Sequence, residues 1–176
     1  GNLLPFVDRG CSVYGIDLCE TRIEQAKLFF STSQKGVSFT CADFLDVPPP
    51  SSEEERYDVI LVHDVIEHIA PLRKADFLLH IKKSTKKDGV IFVAFPAWQM
   101  PFGGHQQICK SKVCATLPFM HLLPYSWYKK YLAFFKEKEG CITELLEIKR
   151  SKMTIEHFEE ICYENNFKIT NRTLWF

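Results

Sequence analysis

The 176-residue sequence has no net charge, few glycines and no long apolar run, and these shortages exclude several classes of protein. Its 22 basic and 22 acidic residues balance, so the composition indicates neither a nucleic-acid-binding protein nor one that binds anionic membranes. No uninterrupted apolar stretch is long enough to predict a membrane span. The seven cysteines form no C-x-x-C pair. We therefore expect free thiols in a reducing compartment, and a cytoplasmic protein without a disulfide framework.

The sequence is instead rich in apolar and aromatic side chains. Hydrophobic residues make up 46% of the chain and phenylalanine occurs 15 times, which argues against disorder. The length suits one domain with a substantial core. We predict a single domain over residues 1–176.

Short β-rich stretches alternate with helical patterns over the first 96 residues. We predict helices at 2–9, 20–30 and 71–82, and strands at 11–17, 37–41, 57–62 and 90–95. The last two strands are continuous apolar runs, of the kind that is buried on both faces of a sheet. The sequence KKDG at 86–89 predicts a turn. Strict alternation indicates an α/β fold, with an open, mostly parallel sheet and helices on both of its faces.

Acidic and histidine side chains stand where the predicted strands end. Ligands of open parallel sheets bind beyond the carboxyl ends of the strands, so we expect Asp17, Asp43 and His63 along one edge. A carboxylate at Asp17 can accept hydrogen bonds from both hydroxyls of a ribose, and Gly1 would then be the last glycine of a nucleotide-binding loop. The alternative stays open that Asp17 only caps the helix that follows it.

The alternation breaks after Pro96. Residues 97–150 are rich in aromatic side chains, begin near a glycine pair at 103–104 and predict two helices, at 125–136 and 142–149. We interpret this segment as a helical insertion that forms a lid. Thr154 is a good N-cap for a helix at 155–165, and the alternation over 167–176 predicts a final strand.

Several pieces of the sequence, taken in order, resemble the class I S-adenosylmethionine-dependent methyltransferases of the small-molecule type. They are GID at 15–17, AD at 42–43, YDVILV at 57–62 running into HDVIEHI, and KKDGVIFVAFP at 86–96. The resemblance implies a Rossmann-like fold with a helical insertion after the fifth strand of that family. Because the glycine-rich turn, the central first strand and the final strand of the family have no counterpart, we expect the sequence to be incomplete at both ends.

The resemblance implies roles for individual residues. Asp17 would hold the ribose hydroxyls of S-adenosylmethionine. Asp43 would accept a hydrogen bond from the adenine amino group, and Phe44 and Leu18 would flank the base. His63 would lie beneath the sulfonium end of the donor. The product would be S-adenosylhomocysteine.

A general base is needed only if the methyl acceptor must lose a proton. The candidates are His63, Asp64 and His105, which stand in loops after strands or beside the glycine pair. Asp64, Glu67 and His68 form D-x-x-E-H, which resembles an acidic metal site of a quinone O-methyltransferase branch. We favour instead a helix that begins at Glu67 and His68, and we predict no metal ligands.

Two other functions remain as alternatives. An NAD-dependent short-chain-type oxidoreductase would also use Asp17, and Tyr125 and Lys129 have the Tyr-x-x-x-Lys spacing of that class. A methyltransferase-like domain can also act as a non-catalytic binding partner. The residues after the fourth strand of the family, HDVI, lack the Pro-Pro-aromatic signature of DNA and glutamine N-methyltransferases. We therefore expect a small-molecule acceptor, planar or apolar in character, and no nucleic acid.

Overall fold

The computed structural model, which describes residues 2–31 and 36–174, divides into two units. The first unit extends to Pro49 and the second begins at Pro50. Gly1, a predicted donor-binding residue, lies outside the described residues. The chain is α/β and its strands pair in parallel, as the sequence predicts.

The first unit is a strand, a helix and a second strand, preceded by a short helix. Its elements are α1 (Leu4–Val7), β1 (Val13–Asp17), α2 (Glu20–Phe29) and β2 (Val37–Cys41), and a 3-10 turn follows at Phe44–Asp46. β1 and β2 pair in parallel, with Asp17 opposite Cys41. Ile23 and Phe30 are buried. All three long elements form at the predicted positions, but α1 covers only part of the predicted helix over 2–9.

Gly15 makes room for the core of the first unit. A Cβ atom at this position would lie 2.6 Å from Cδ1 of Phe39, which is closer than carbon atoms can pack. The ring of Phe39 in turn lies 5.6 Å from that of Phe30, between centroids. Gly15 therefore allows Phe39 to pack closely against β1, the strand that ends at Asp17.

The second unit begins with a parallel strand pair and continues as a helical segment. The pair is β3 (Tyr57–His63) and β4 (Thr85–Ala94), connected through a 3-10 turn (Pro71–Arg73) and α3 (Lys74–Ser84). Four further helices follow: α4 (Lys112–Thr116), α5 (Tyr125–Phe134), α6 (Glu139–Ser151) and α7 (Ile155–Glu164).

Two predictions about this strand pair are wrong. Residues 86–89 are not a separate turn, because β4 starts at Thr85, directly after α3. The register changes instead, from Tyr57 opposite Thr85 to Val59 opposite Val90, so the extra residues are absorbed inside the strand. The strands are also not buried on both faces, since Val90 is 60% and Phe92 is 54% exposed in the described chain.

The helical segment has its own apolar core, as its aromatic content suggested. The helices α5 and α6 form where two helices were predicted, although α6 starts three residues earlier and ends two residues later than expected. Their buried faces meet in a cluster made of Cys109, Cys114, Tyr128, Leu132, Ile142, Leu145 and Leu146. The helices and their core do not test whether residues 1–176 form a single domain or whether residues 97–150 act as a lid.

The predicted final strand is absent from residues 167–174, which form irregular structure. Alternation alone does not make a strand, because a strand needs a partner for its backbone groups. Here the chain reverses at Asn166, which has a positive φ of 55°. The N–H of Phe167 then donates to the carbonyl of Cys162, and Lys82 Nζ donates to the carbonyl of Asn165.

All seven cysteines are free thiols, as expected. Among the helices that the structure describes, none combines the length and the apolar character that a membrane crossing requires.

Thr154 caps α7 as the sequence predicts, and its removal provides a test of the fold. Its Oγ1 accepts a hydrogen bond from the N–H of His157 at 3.0 Å. We expect Thr154→Ala to lower the free energy of unfolding by about 1 kcal/mol, measured by urea denaturation. Thr173→Ala, in the exposed irregular tail, is the matched control. Equal stability of the two variants would contradict the capping role.

Candidate functional site

Asp17 stands at the end of β1, where its carboxylate has two protein partners. Oδ1 accepts a hydrogen bond from the N–H of Cys19 at 2.8 Å, and Oδ2 lies 3.7 Å from Nη1 of Arg22. Cys19 is the N-cap residue of α2, which has no side-chain cap, so Asp17 fixes the turn before the helix and does not itself cap it. A carboxylate has about four acceptor positions, so capacity for a ligand remains.

Asp43 stands at the end of the neighbouring strand. Its Oδ1 accepts a hydrogen bond from the N–H of Leu45 at 2.9 Å and so begins the 3-10 turn that contains Phe44. The N–H of Ala42 donates to the carbonyl of Asp17 at 3.1 Å. Leu18, whose side chain is 73% exposed, follows directly on Asp17. The first unit therefore brings Asp17, Leu18, Asp43 and Phe44 to one edge of its strand pair.

His63 and Asp64 form a pair at the end of β3 in the second unit. Nδ1 of His63 lies 3.0 Å from Oδ2 of Asp64, and both side chains are largely exposed. Asp64 has a positive φ of 52°, a conformation that few residues other than glycine, asparagine and aspartate adopt. The chain consequently turns sharply after β3 and enters the turn that carries Glu67 and His68.

Glu67 is a buried carboxylate in this turn. It is 1% exposed, and among the described residues neither of its side-chain oxygens has a hydrogen-bond partner. The imidazoles of two histidines lie near it, with His105 Nδ1 at 3.5 Å and His68 Nε2 at 3.9 Å from Oε1. The structure therefore corrects one prediction: residues 66–69 form a turn and not the start of a helix, so Asp64, Glu67 and His68 do not share a helix face.

His105 responds to the charge beside it. The carboxylate of Glu67 raises the pKa of His105, partly opposed by burial, and Asp64 and Glu144 raise it further. The ring of His68 lies 5.4 Å from the ring of His105. The three predicted acid–base residues His63, Asp64 and His105 thus belong to one group of charges in the second unit, and Glu67 is its buried member.

Close packing holds His105 in place. A Cβ atom at Gly104 would lie 2.1 Å from Cβ of His121, so only glycine fits there. Behind it, His121 is fully buried and its Nε2 lies 2.9 Å from the carbonyl of Trp98. His105 itself has a positive φ of 59°. Gly104 therefore allows close packing of the backbone beside His105.

Lys74 lies fully buried behind the Glu67 turn. Its Nζ donates to the carbonyl of Ile66 at 2.8 Å and to Oγ of Ser151, at the end of α6, at 2.6 Å. Burial lowers the pKa of Lys74 to about 8, while the charge of Glu67 acts in the opposite direction. The turn is thus fixed to α3 and α6 by one buried amine.

Sequence reasoning missed Glu67 and Lys74 as parts of the site. Glu67 sits in the run DVIEHI, whose spacing resembles a helix start, and Lys74 looks like any charged residue near the beginning of a helix. The only signal for Glu67 was the D-x-x-E-H pattern, and no signal in the sequence marked Lys74 or its partner Ser151.

A metal ion would fit the same group of side chains. One ligand atom each from Glu67, His68 and His105 lies within 4.8 Å of the other two. The unpartnered oxygens of the buried Glu67 carboxylate suit a cation. Two imidazoles and a carboxylate are ligands for several divalent ions.

Comparisons with family models and with curated proteins both indicate the same family. A family model described as "Methyltransferase domain" matches residues 1–93. The chain is similar to proteins named ubiquinone biosynthesis O-methyltransferase. That of Bartonella quintana (strain Toulouse) is 31% identical over 119 residues, which are 62% of this chain and 45% of that protein. That of Bartonella bacilliformis is 27% identical over 157 residues, 84% of this chain and 57% of that protein. The chain therefore spans about half the length of these relatives.

The buried amine of Lys74 predicts a pH-dependent difference in stability between wild type and Lys74→Met. In the folded state its pKa is about 8, against an ordinary value of 10.5. Between these values the unfolded chain binds more protons, so the free energy of unfolding rises with pH. We expect the stability of wild type relative to Lys74→Met to rise from pH 7 to pH 10, by about 3 kcal/mol at most.

The measurement is urea denaturation at both pH values, with exposed Lys130→Met as the control. Titrating groups that do not interact with Lys74 are present in both proteins and cancel in the difference. A difference that stays constant or falls with pH would contradict this account of Lys74.

Proposed function

Since the methyltransferase match covers residues 1–93, more than half of the chain, the chain belongs to this family, and from that premise we propose that the complete protein transfers a methyl group to a hydroxyl of a small molecule. S-adenosylmethionine is the methyl donor and S-adenosylhomocysteine is the product. The choice of oxygen as acceptor atom rests on the relatives, which are named O-methyltransferases.

The observation that carries the proposal is the buried Glu67 carboxylate, 3.5 Å from Nδ1 of His105. A hydroxyl attacks a methyl group well only when it loses its proton, so an O-methyltransferase gains from a general base. The carboxylate favours the tautomer of His105 with the proton on Nδ1, which leaves the lone pair on Nε2 to accept a proton. His105 is the proposed catalytic base and Glu67 the residue that positions it.

The proposed step is an in-line displacement. The acceptor oxygen forms a bond to the methyl carbon as the bond from that carbon to sulfur breaks, and the electron pair of that bond remains on S-adenosylhomocysteine. The hydroxyl proton goes to Nε2 of His105. The sulfonium is already activated, so the protein contributes chiefly orientation, exclusion of water and proton acceptance.

Residues of the first unit are proposed to bind the donor. Asp17 would accept hydrogen bonds from the ribose hydroxyls and Asp43 from the adenine amino group, with Leu18 and Phe44 against the base. Their support is the register that sets Asp17 opposite Cys41 at the ends of two parallel strands. His63 and Asp64 are proposed to assist catalysis, and His63 also to contact the donor.

The finer features of the prediction are proposals too. They are a single open sheet with helices on both faces, an insertion at 97–150 that acts as a lid, a planar or apolar acceptor, and a cytoplasmic protein. Seven free thiols support a reducing compartment. The comparisons give no support to an oxidoreductase. The hydroxyl of Tyr125, the tyrosine of the Tyr-x-x-x-Lys spacing, accepts a hydrogen bond from Nη2 of Arg150 at 2.9 Å.

A divalent ion is the alternative way to activate the hydroxyl. Glu67, His68 and His105 would hold it, and a bound cation lowers the pKa of a hydroxyl that it contacts. In that case His105 would be a ligand and not a base. Exhaustive chelation distinguishes the two, because activity through a histidine base survives it.

Donor binding tests the first-unit residues. We expect Asp17→Ala and Asp43→Ala in the complete protein to weaken binding of S-adenosylhomocysteine roughly 10- to 100-fold, since a hydrogen bond to a charged group contributes about 1.5–3 kcal/mol. Isothermal titration calorimetry measures it. Asp8→Ala, at the exposed end of α1, is the control. Unchanged affinity in both site variants, or binding of NAD alone, would overturn the proposal.

The acid–base pair predicts a shifted pH profile. We expect His105→Ala to lower kcat about 10²- to 10⁴-fold. In Glu67→Gln the pKa of His105 falls because the carboxylate that raises it is gone, so the acidic limb of the kcat/KM profile moves to lower pH. A methyl-transfer assay on hydroxylated aromatic acceptors measures both effects. His157→Ala, which removes the exposed histidine of α7, is the control. An acidic limb that stays in place in Glu67→Gln would exclude this pair.

A further inference from the structure

A second group of metal-binding side chains lies in the helical part of the second unit, apart from the residues assigned to methyl transfer. Cys109 follows a 3-10 turn, Cys114 lies in α4 and Glu137 lies between α5 and α6. One ligand atom from each lies within 4.8 Å of the other two. All three side chains are buried, and Cys114 is completely inaccessible.

A third thiol adjoins this group. Cys141, in the first turn of α6, packs against the buried cluster that contains Cys109 and Cys114. It is only partly buried, so it provides a path from solvent to the cluster. Three thiols and one carboxylate, from residues 109–114 and 137–141, therefore lie in one part of the helical segment.

The carboxylate of Glu137 is buried and is held in place by two backbone N–H groups. Its oxygens accept hydrogen bonds from the N–H groups of Lys110 at 2.9 Å and Ser111 at 2.7 Å. These contacts use two of about four acceptor positions of the carboxylate. Within residues 2–31 and 36–174, no side-chain cation lies within ion-pair distance of this buried group.

The buried hydroxyl group of Tyr128 is a second observation that favours a ligand at this cluster. Tyr128 is fully buried, and its hydroxyl lacks a hydrogen-bond partner in the described part of the chain. It belongs to the same buried cluster as Cys109 and Cys114, against which Cys141 packs. A thiol accepts hydrogen bonds weakly, whereas a metal-bound thiolate is a charged acceptor for such a hydroxyl.

We propose that Cys109, Cys114, Cys141 and Glu137 bind one Zn²⁺ ion. Thiolate ligands select zinc among the common divalent ions. Zinc–sulfur bonds of about 2.3 Å place tetrahedral sulfurs about 3.8 Å apart. The sulfurs of Cys109 and Cys114 lie within 4.8 Å of each other, so they need to approach by at most about 1 Å. Three thiolates and one carboxylate give the same net charge as a four-cysteine zinc site.

All four ligands come from the protein, which is the arrangement of a structural and not a catalytic zinc. The ion would link Cys109 to α4, to α6 and to the connection between α5 and α6. Cys109 ends a short 3-10 turn that starts after His105, four residues earlier. Zinc would therefore stabilise the part of the second unit that carries the proposed base, whatever the methyl acceptor is.

Cobalt substitution tests the site in the reduced full-length protein, without donor or acceptor. We expect one Co²⁺ per chain to give a thiolate-to-cobalt charge-transfer band that one equivalent of Zn²⁺ removes. The band should be lost in Cys109→Ser and Cys114→Ser. It should persist in Cys19→Ser and Cys41→Ser, which remove exposed thiols. It should also persist in Glu67→Gln, because the separate group of Glu67, His68 and His105 contains no sulfur.

A measurement on the wild-type protein covers the case in which the serine variants fail to fold. Cadmium NMR reports the number of sulfur ligands, and we expect a single resonance typical of three sulfurs, with a thermal midpoint raised by Zn²⁺. Absence of any thiolate–metal band overturns the proposal. So does a band that depends on Cys19 or Cys41, or a cadmium resonance without sulfur.

Discussion

A carboxylate that is shut off from water must be compensated by nearby positive charge, and Glu67 imposes this requirement on the second unit. Removing a charge from water costs several kcal/mol unless partners replace the lost hydration. Glu67 has no hydrogen-bond partner among the described residues, so its compensation comes from charges at a distance. Lys74 acts on it electrostatically, and the imidazoles of His105 and His68 lie 3.5 Å and 3.9 Å from Oε1. Several elements are consequently fixed with respect to this one group.

The backbone around Glu67 shows the same constraint. Asp64 and His105 both adopt left-handed conformations, which cost of order 1–3 kcal/mol for residues other than glycine. Gly104 packs against His121 where no larger residue fits. Lys74 binds the carbonyl of Ile66 and the hydroxyl of Ser151. Conformations of this kind persist only where the surrounding packing determines them, and here the packing surrounds a titratable histidine.

The sequence predicted those parts of the site that depend on local rules. Asp17 and Asp43 follow strands, and the carboxyl ends of neighbouring parallel strands meet at one edge, so their placement in the first unit could be deduced. Thr154 was predictable because an N-cap depends only on adjacent residues. Glu67 was not, since DVIEHI satisfies a helical spacing and only the positive φ at Asp64 turns the chain away from a helix. The segment at 167–174 alternates correctly, but a strand also needs a partner, which no local pattern encodes.

The two sets of polar residues differ in the chemistry that they suit. Asp17 and Asp43 are carboxylates at the ends of two paired strands, and carboxylates accept hydrogen bonds from hydroxyl and amino groups. Glu67 and His105 form a buried acid–base pair, and an acceptor that is nucleophilic without losing a proton, such as a neutral amine, does not require one. A hydroxyl is different, because its oxygen becomes strongly nucleophilic only as the proton leaves. The placement of the buried Glu67 beside His105 therefore suits an acceptor group that must lose a proton.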